Sequence, residues 1–168
     1  RDAAKVMIDL MLQVKRKYGV ELEQVNTGGG FGIYYKNGDE PPAINEFVDA
    51  IMTAVHELCS ENKLAMPRII IEPGRWMVGE NGITLYKVGP VKEIKGVRKY
   101  VIVDGGMTDN PRTALYQAEY DAVVANKAGE QPLELVTIAG KCCESGDILI
   151  WDIKLPPVEP GDTLAILS

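Results

Sequence analysis

The stretch Arg68-Ile69-Ile70-Ile71-Glu72-Pro73-Gly74-Arg75 indicates the fold, because an apolar run ends there at four residues that are unsuited to a core. Three consecutive isoleucines without polar alternation predict a short parallel strand that is covered on both faces. Pro73 cannot continue a central ladder and Gly74 allows the backbone to turn. The carboxylate and the guanidinium are therefore expected together at the carboxyl end of a parallel strand, where α/β proteins place their sites.

A second corner of the same kind precedes this stretch. Residues 22–25 predict a strand, and Gly28, Gly29 and Gly30 follow it closely. Successive glycines offer unhindered N–H groups and positive φ angles, which a backbone nest around phosphate oxygens requires, although flexible turns use the same residues. A polar linker and an amphipathic helix over residues 44–58 then complete a β-α-β unit. We expect the glycines and the Glu-Pro-Gly-Arg corner side by side at one rim of adjoining parallel strands.

Composition and charge restrict the class of protein. The net charge of −6 and a pI near 4.9 argue against nucleic acid or an anionic membrane as the main partner. No apolar run approaches the roughly 20 residues that a membrane span needs, and we expect a cytoplasmic protein. His56 is the single histidine and no C-x-x-C pair occurs, so neither a Ser-His-Asp triad nor a metal site is predicted. The chain opens within a helical pattern over residues 3–18 and without Met, which suggests a piece of a longer protein.

From Gly82 onward, short strands replace the helical pattern. Apolar runs alternate with Gly, Pro and Asp turns, and one helical interruption lies near residues 110–116. The predicted strands are Ile83–Glu93, Tyr100–Asp104, Ala122–Ala125, Leu133–Ile138, Ile148–Trp151 and Thr163–Leu167. We therefore predict α/β structure in residues 1–80, followed by a mostly antiparallel β-barrel or sandwich domain in residues 81–168.

Four motifs, in this order and spacing, carry a family resemblance. They are Gly28-Gly29-Gly30-Phe31, Glu72-Pro73-Gly74-Arg75, Asp104-Gly105-Gly106-Met107-Thr108-Asp109 with Arg112 and Tyr116, and Cys143-Glu144-Ser145-Gly146-Asp147. Together they resemble the diaminopimelate decarboxylases, which use pyridoxal 5'-phosphate and belong to the alanine-racemase-like, ornithine-decarboxylase-like group. The resemblance implies the C-terminal portion of a (β/α)8 barrel that binds the cofactor, followed by a β domain. The implied reaction converts meso-diaminopimelate into L-lysine and CO2, the last step of lysine biosynthesis.

The resemblance also implies which residues would contact the cofactor. The backbone that holds the phosphate is matched by Gly28, Gly29, Gly30 and Gly74. Glu72 matches the acid beside the pyridine nitrogen, where a carboxylate raises the pKa of that nitrogen.

The substrate contacts are implied in the same way. Arg75 and Arg112 match positions that bind a substrate carboxylate, which a planar guanidinium does better than Lys, and Tyr116 could add a hydroxyl contact. Cys143 and Glu144 match residues that the family sends across a dimer interface. There Cys143 would supply the proton to Cα and Glu144 would contact the distal ammonium. The resemblance thus implies a homodimer with shared active sites.

Some positions of the family have no match, and other residues depart from its pattern. The Schiff-base lysine of the family would lie N-terminal to residue 1, and neither Lys63 nor Lys141 matches its motif, so the chain alone is expected to be inactive. Asn26 is more polar than expected before the glycines. Strand alternation would point Cys142 away from Cys143 and make it a packing residue.

Two alternatives remain open at this stage. The chain could come from a decarboxylase of ornithine, lysine or arginine with the same architecture. Arg112 argues against this, because a substrate with a purely cationic far end would leave a buried guanidinium unpaired. The chain could also come from a non-catalytic relative with a binding or regulatory role, although the intact acid, arginine and cysteine positions favour an enzyme.

Overall fold

The computed structural model describes residues 2–36 and 38–167. Two compact units divide the chain. The first, the helical unit, contains the described residues up to Ile33 and Glu40–Gly79. The second, the sheet unit, contains the described residues of Tyr34–Asp39 and those from Glu80 onward.

The helical unit contains a parallel pair of strands and its flanking helices. Its elements in chain order are α1 (Asp2–Tyr18), β1 (Gln24–Asn26), α2 (Ile44–Asn62), β2 (Arg68–Ile70) and α3 (Gly74–Val78). β1 and β2 pair in parallel with Val25 opposite Ile69, which confirms the predicted β-α-β unit. Gly19 ends α1 in a left-handed conformation, and its N–H donates to the Lys15 carbonyl at 2.9 Å. Among the described helices, none combines the length and the apolar character needed to cross a membrane.

The isoleucine strand is less covered than its sequence predicts. Ile69 packs against the apolar cluster formed by α1, β1 and α2, whose most buried members include Ile8 and Val55. Ile70 and Ile71 are only half-buried. The expectation of burial on both faces is therefore wrong for the described residues, because the sheet of the helical unit has two strands there rather than a closed ring. A whole (β/α)8 barrel is not present in this part of the chain.

The sheet unit is a mixed sheet that nearly closes into a barrel. Its strands in the described range are β3 (Ile83–Ile94), β4 (Arg98–Val103), β5 (Asp121–Val124), β6 (Glu134–Ala139), β7 (Ile148–Leu155) and β8 (Thr163–Leu167), with helix α4 (Arg112–Tyr116) between β4 and β5. The strand order is β5-β8-β3-β4-β6-β7, and the edge strands β5 and β7 approach each other. Neighbouring strands are antiparallel except for β4 and β6. The mostly antiparallel barrel is thus confirmed, with one parallel pair that α4 and β5 connect.

Alternating side chains of the strands fill the interior of the sheet unit. Val101, Val136, Ile138, Leu149 and Leu164 are all essentially inaccessible to solvent. Full burial of a side chain of this size contributes about 1.5–3 kcal/mol each. This cluster is separate from that of the helical unit, so each unit has its own core.

The segment Tyr34–Asp39 belongs to the sheet unit although it follows the glycines in sequence. The Tyr34 N–H donates to Glu80 Oε1 at 3.2 Å, and Lys36 forms an ion pair with Glu119. Residues 36–42 are predicted to be a linker, of which Asn37 lies outside the described residues. Within it, Lys36 forms the ion pair with Glu119, and its N–H donates to Asp39 Oδ2 at 3.1 Å.

Candidate functional site

The glycine loop (residues 28–30) and the Glu-Pro-Gly-Arg corner (residues 72–75) lie in contact at the carboxyl ends of β1 and β2. The Thr27 N–H donates to the Ile70 carbonyl at 3.0 Å, and the Glu72 N–H donates to the Gly28 carbonyl at 2.8 Å. A Cβ on Gly29 would lie 2.2 Å from the Glu72 carbonyl oxygen. The predicted adjacency of the two corners is therefore confirmed.

The glycine loop has the backbone geometry of an anion nest. Gly28 and Gly30 have left-handed φ angles of +76° and +85°, whereas Gly29 between them does not. Alternation of this kind turns successive N–H groups towards one side. Among the described residues, none accepts a hydrogen bond from the amides of Gly29 and Gly30. These two amides are the donors that the loop can offer to a phosphate.

Two of the glycines predicted to contact the phosphate already donate their backbone N–H groups to acceptors within the protein. The Gly74 N–H donates to the Glu72 carbonyl at 2.9 Å, across Pro73. The Gly28 N–H donates to Asn26 Oδ1 at 2.8 Å. No atom lies within 4 Å of the position that a Cβ would take at either glycine, so both provide open space rather than free donors.

Asn26 sets the position of the Glu72 carboxylate. Because Asn26 Oδ1 accepts the Gly28 N–H, its Nδ2 is directed away from that amide, and it donates to Glu72 Oε1 at 2.6 Å. One amide side chain thus connects the loop backbone to the acid. Asn26 is not among the residues that the motifs assign to the site. A polar residue at a strand end, two positions before a glycine loop, is the signal that could have indicated a role for it.

Arg75 extends from the first turn of α3. Its Cγ lies close enough to Gly79 that a Cβ there would be 2.9 Å away, so the aliphatic stem runs along the helix over that glycine. The residue is exposed. Arg75 is therefore an exposed residue on the same corner as Glu72.

In the sheet unit, Arg112 is held by an aromatic pair. Its Nη1 donates to Tyr35 Oη at 3.2 Å, and its guanidinium carbon lies 5.3 Å from the centre of the Tyr35 ring. Tyr35 in turn makes an edge contact with Tyr120, with ring centres 6.0 Å apart. The hydrogen bond that Arg112 donates to Tyr35 raises the pKa of Arg112, so this side chain is a fixed cation. Tyr116, one helical turn later, is exposed.

Cys143 and Glu144 lie in a turn between β6 and β7 rather than in a strand. The prediction that strand alternation points Cys142 away from Cys143 is therefore wrong, because both residues lie in a turn and not in a strand. Cys142 is nonetheless half-buried, whereas Cys143 is exposed. Burial, and then a hydrogen bond with Asp147, raise the pKa of Cys142 and keep it protonated. Glu144 Oε1 accepts from the Gly146 N–H at 3.3 Å.

The predicted site residues thus form separate groups in the two units. The helical unit contains the glycine loop, Glu72, Gly74 and Arg75, and hydrogen bonds join the loop to Glu72. The sheet unit contains Arg112 and Tyr116 on α4, and it contains Cys143 and Glu144 in the β6–β7 turn. Each group presents the chemistry that the motifs imply: amide donors with a carboxylate in one unit, and a cation, a thiol and a second carboxylate in the other.

A family model described as the C-terminal sheet domain of pyridoxal-dependent decarboxylases matches residues 11–168. The chain therefore belongs to the pyridoxal-dependent decarboxylase family. It is 52% identical over 164 residues to the diaminopimelate decarboxylase of Bacillus subtilis, a match that covers 98% of the chain and 37% of that relative. This likeness confirms the resemblance that the motifs indicate.

Solved structures agree with this assignment. The diaminopimelate decarboxylase of M. jannaschii in complex with L-lysine superposes with a TM-score of 0.81 at 39% identity, covering 98% of the chain and 36% of that structure. The lysine/ornithine decarboxylase of Vibrio vulnificus complexed with putrescine has a TM-score of 0.70 at 20% identity, over 99% of the chain and 44% of that structure, and shares the fold alone. The chain spans between a third and a half of the length of these relatives.

Proposed function

We propose that the chain is the C-terminal part of a pyridoxal-phosphate-dependent diaminopimelate decarboxylase, which converts meso-diaminopimelate into L-lysine and CO2. The observation that carries the proposal is the contact between the glycine loop and Glu72 at the carboxyl ends of β1 and β2. The identity of 52% to a diaminopimelate decarboxylase supports it, and the 20% identity to a lysine/ornithine decarboxylase does not favour that alternative.

In this proposal, residues 1–80 form one edge of the cofactor-binding (β/α)8 barrel and residues 81–168 form the C-terminal β domain. Parallel pairing of β1 and β2, with α1 and α2 packed against them, supports the barrel assignment. The half-buried Ile70 and Ile71 fit the same idea, since further barrel elements would cover them. A cytoplasmic location agrees with the acidic composition.

The helical unit fits the phosphate and the ring of the cofactor. The amides of Gly29 and Gly30 would hold the phosphate, with Gly28 and Gly74 leaving room for it. Glu72 would hold a proton at the ring nitrogen, and an opposite charge within about 4–6 Å shifts a pKa by about 1–3 units, or roughly 1.4–4 kcal/mol. When bound, pyridoxal phosphate delocalises the negative charge that decarboxylation leaves on Cα.

The remaining positions would recognise the substrate and complete the reaction. Arg75 and Arg112 would bind carboxylate groups, and Tyr116 would add a hydroxyl contact. Cys143 and Glu144 would reach the site of a second copy, where the thiol returns a proton to Cα and the carboxylate binds the distal ammonium. The exposure of both side chains on the β6–β7 turn supports this homodimeric arrangement.

The proposal is tested with the full-length polypeptide that carries this chain. We expect CO2 release from meso-diaminopimelate and not from L-lysine or L-ornithine. Glu72→Gln should lower kcat by about 10- to 1,000-fold, the rate equivalent of 1.4–4 kcal/mol. Glu61→Gln, at an exposed position of α2, is the matched control and should leave kcat unchanged.

Equal rates with the three substrates, or an unchanged kcat in Glu72→Gln, would contradict the proposal. The 168-residue chain alone is expected to release no CO2, because none of its residues matches the Schiff-base lysine of the family.

A further inference from the structure

One buried carboxylate connects two loops of the sheet unit. Asp147 closes the β6–β7 turn, and only 2% of its surface is exposed. Its Oδ1 accepts the Met107 N–H at 2.6 Å, and its Oδ2 accepts the Cys142 N–H at 2.7 Å. Met107 belongs to the loop between β4 and α4 that leads to Arg112. The two oxygens of one side chain therefore bind the backbones of both loops.

Two glycines make room for this carboxylate. A Cβ on Gly106 would lie 2.5 Å from Asp147 Oδ1, and a Cβ on Gly140 would lie 2.2 Å from Oδ2. Gly106 also has a φ of +152°, which L residues rarely adopt. Backbone bonds close the arrangement, since the Gly140 N–H donates to the Asp147 carbonyl at 2.8 Å and the Lys141 N–H donates to the Gly105 carbonyl at 2.9 Å.

The β4–α4 loop has a second anchor, which joins it to the barrel wall. Asp109 Oδ2 accepts from Tyr86 Oη at 2.5 Å and from the Gly106 N–H at 3.3 Å. Tyr86 is a buried residue of β3, so this bond fixes the loop to the barrel wall. The barrel therefore holds the β4–α4 loop in place, and the hydrogen bonds of Asp147 hold the β6–β7 turn against that loop.

We propose that Asp147 is a positioning residue, which holds the β6–β7 turn against the β4–α4 loop and thereby sets where Cys143 and Glu144 project. The roles of those two residues rest on the proposed function, whereas the coupling of the loops is a property of this chain. The arrangement also distinguishes the adjacent thiols. Cys142 is tied to Asp147 through its amide, and Cys143 next to it is exposed.

The test measures the alkylation rate of each cysteine with iodoacetamide, by peptide mass spectrometry on the folded 168-residue chain. In the unaltered chain, Cys143 should react at least tenfold faster than Cys142. Asp147→Asn keeps the shape but places an NH2 group against one of the two backbone donors. A buried donor left without an acceptor weakens the contact that holds the turn. We therefore expect the rate of Cys142 to rise about tenfold, towards that of Cys143.

Asp162→Asn is the matched control. Asp162 is also a buried acceptor of the sheet unit, and it binds the Glu159 N–H at 2.8 Å in the β7–β8 connection instead of the β6–β7 turn. Its replacement should lower stability without changing the ratio of the Cys142 and Cys143 rates. The proposal is overturned if both variants change that ratio equally or if neither does.

Hydrogen exchange of the unaltered chain provides a second measurement, should Asp147→Asn fail to fold. The amides of Met107 and Cys142 share one carboxylate, so both should be protected and their protection factors should agree within about threefold. Unprotected exchange at either amide would overturn the proposal.

In the full-length protein, Asp147→Asn should lower kcat for meso-diaminopimelate while the affinity for pyridoxal phosphate stays unchanged. An unchanged kcat would refute the positioning role. An unaltered full-length protein without decarboxylase activity would instead refute the proposed function, and the thiol and exchange results would stand independently.

Discussion

Gly29→Ala is expected to separate the glycine loop from the Glu-Pro-Gly-Arg corner. The added Cβ would lie 2.2 Å from the Glu72 carbonyl oxygen and 3.3 Å from its carbon. That oxygen belongs to the backbone, so it cannot rotate away as a side chain would. The two segments must instead move apart by about 1 Å to restore van der Waals contact, which also breaks the bond from the Glu72 N–H to the Gly28 carbonyl.

The size of the effect follows from these two losses. Overpacking in a close contact costs about 1–3 kcal/mol, and a lost backbone hydrogen bond costs about 0.5–1.5 kcal/mol. We therefore expect Gly29→Ala to lower the unfolding free energy of the helical unit by about 2–4 kcal/mol. Gly74→Ala is the matched control on the facing corner, since nothing lies within 4 Å of its Cβ position and its φ is not left-handed. It should be neutral or stabilise by up to about 1 kcal/mol.

Urea unfolding, followed by tryptophan fluorescence, measures this difference within one unit. The chain has two tryptophans, Trp76 in the helical unit and Trp151 in the sheet unit. A Trp151→Phe background leaves Trp76 as the reporter of the helical unit. With an m-value of about 2 kcal/mol/M, Gly29→Ala should lower the midpoint by about 1–2 M relative to Gly74→Ala. Equal midpoints for the two variants would refute the inferred contact between the corners.

Two further outcomes follow from the charged groups. Burial acts to raise the pKa of Asp162, but hydrogen bonds from Lys127 and Asn126 outweigh it and hold the pKa at about 2. The stabilisation that comes from this lowered pKa is fully present above the unfolded pKa of about 3.9 and is lost as pH falls towards 2. In urea titrations the unfolding free energy of the sheet unit should therefore fall by roughly 1–2 kcal/mol between about pH 5 and pH 2, after allowance for screening. Asp162→Asn should abolish that part of the loss. Asn26→Asp would place a second carboxylate beside Glu72, at the position from which Asn26 Nδ2 now donates. The repulsion should lower the unfolding free energy of the helical unit by about 0.5–1 kcal/mol at low salt. In 1 M NaCl the loss should shrink, and a loss independent of salt would argue against that contact.

Local chemistry made the two corners of the helical unit predictable. A β-branched run that stops at Pro-Gly and a short strand that stops at three glycines both indicate where a strand ends, and parallel pairing then brings those ends to the same edge. The strands from residue 83 onward were predictable for a similar reason, since turn residues separate them. The incomplete burial of Ile70 and Ile71 could not be predicted, because the burial of a strand depends on elements that lie elsewhere in the fold.

Contacts between distant residues could not be predicted from the sequence. Tyr35 follows a glycine-rich loop and resembles a loop residue, yet its ring supports Arg112, 77 positions later. Asn26 finds its carboxylate partner 46 positions away. Asp147 follows Ser145 and Gly146, a sequence typical of a turn, yet it is buried and its Oδ1 accepts the N–H of Met107, 40 positions earlier. In each case the local pattern permits a simple loop, and only the fold supplies the partner.

The glycines show how the same residue type serves two physical purposes in one motif. Gly28 and Gly30 are required by their left-handed φ angles, with open space around them, whereas Gly29 is required because the Glu72 carbonyl occupies the place of a side chain. Gly140 repeats the second purpose, since the Asp147 carboxylate fills its Cβ position. A glycine of the second kind fixes a contact rather than loosening the chain. For that reason alanine is expected to be disruptive at Gly29 and Gly140, although the backbone φ alone would tolerate it.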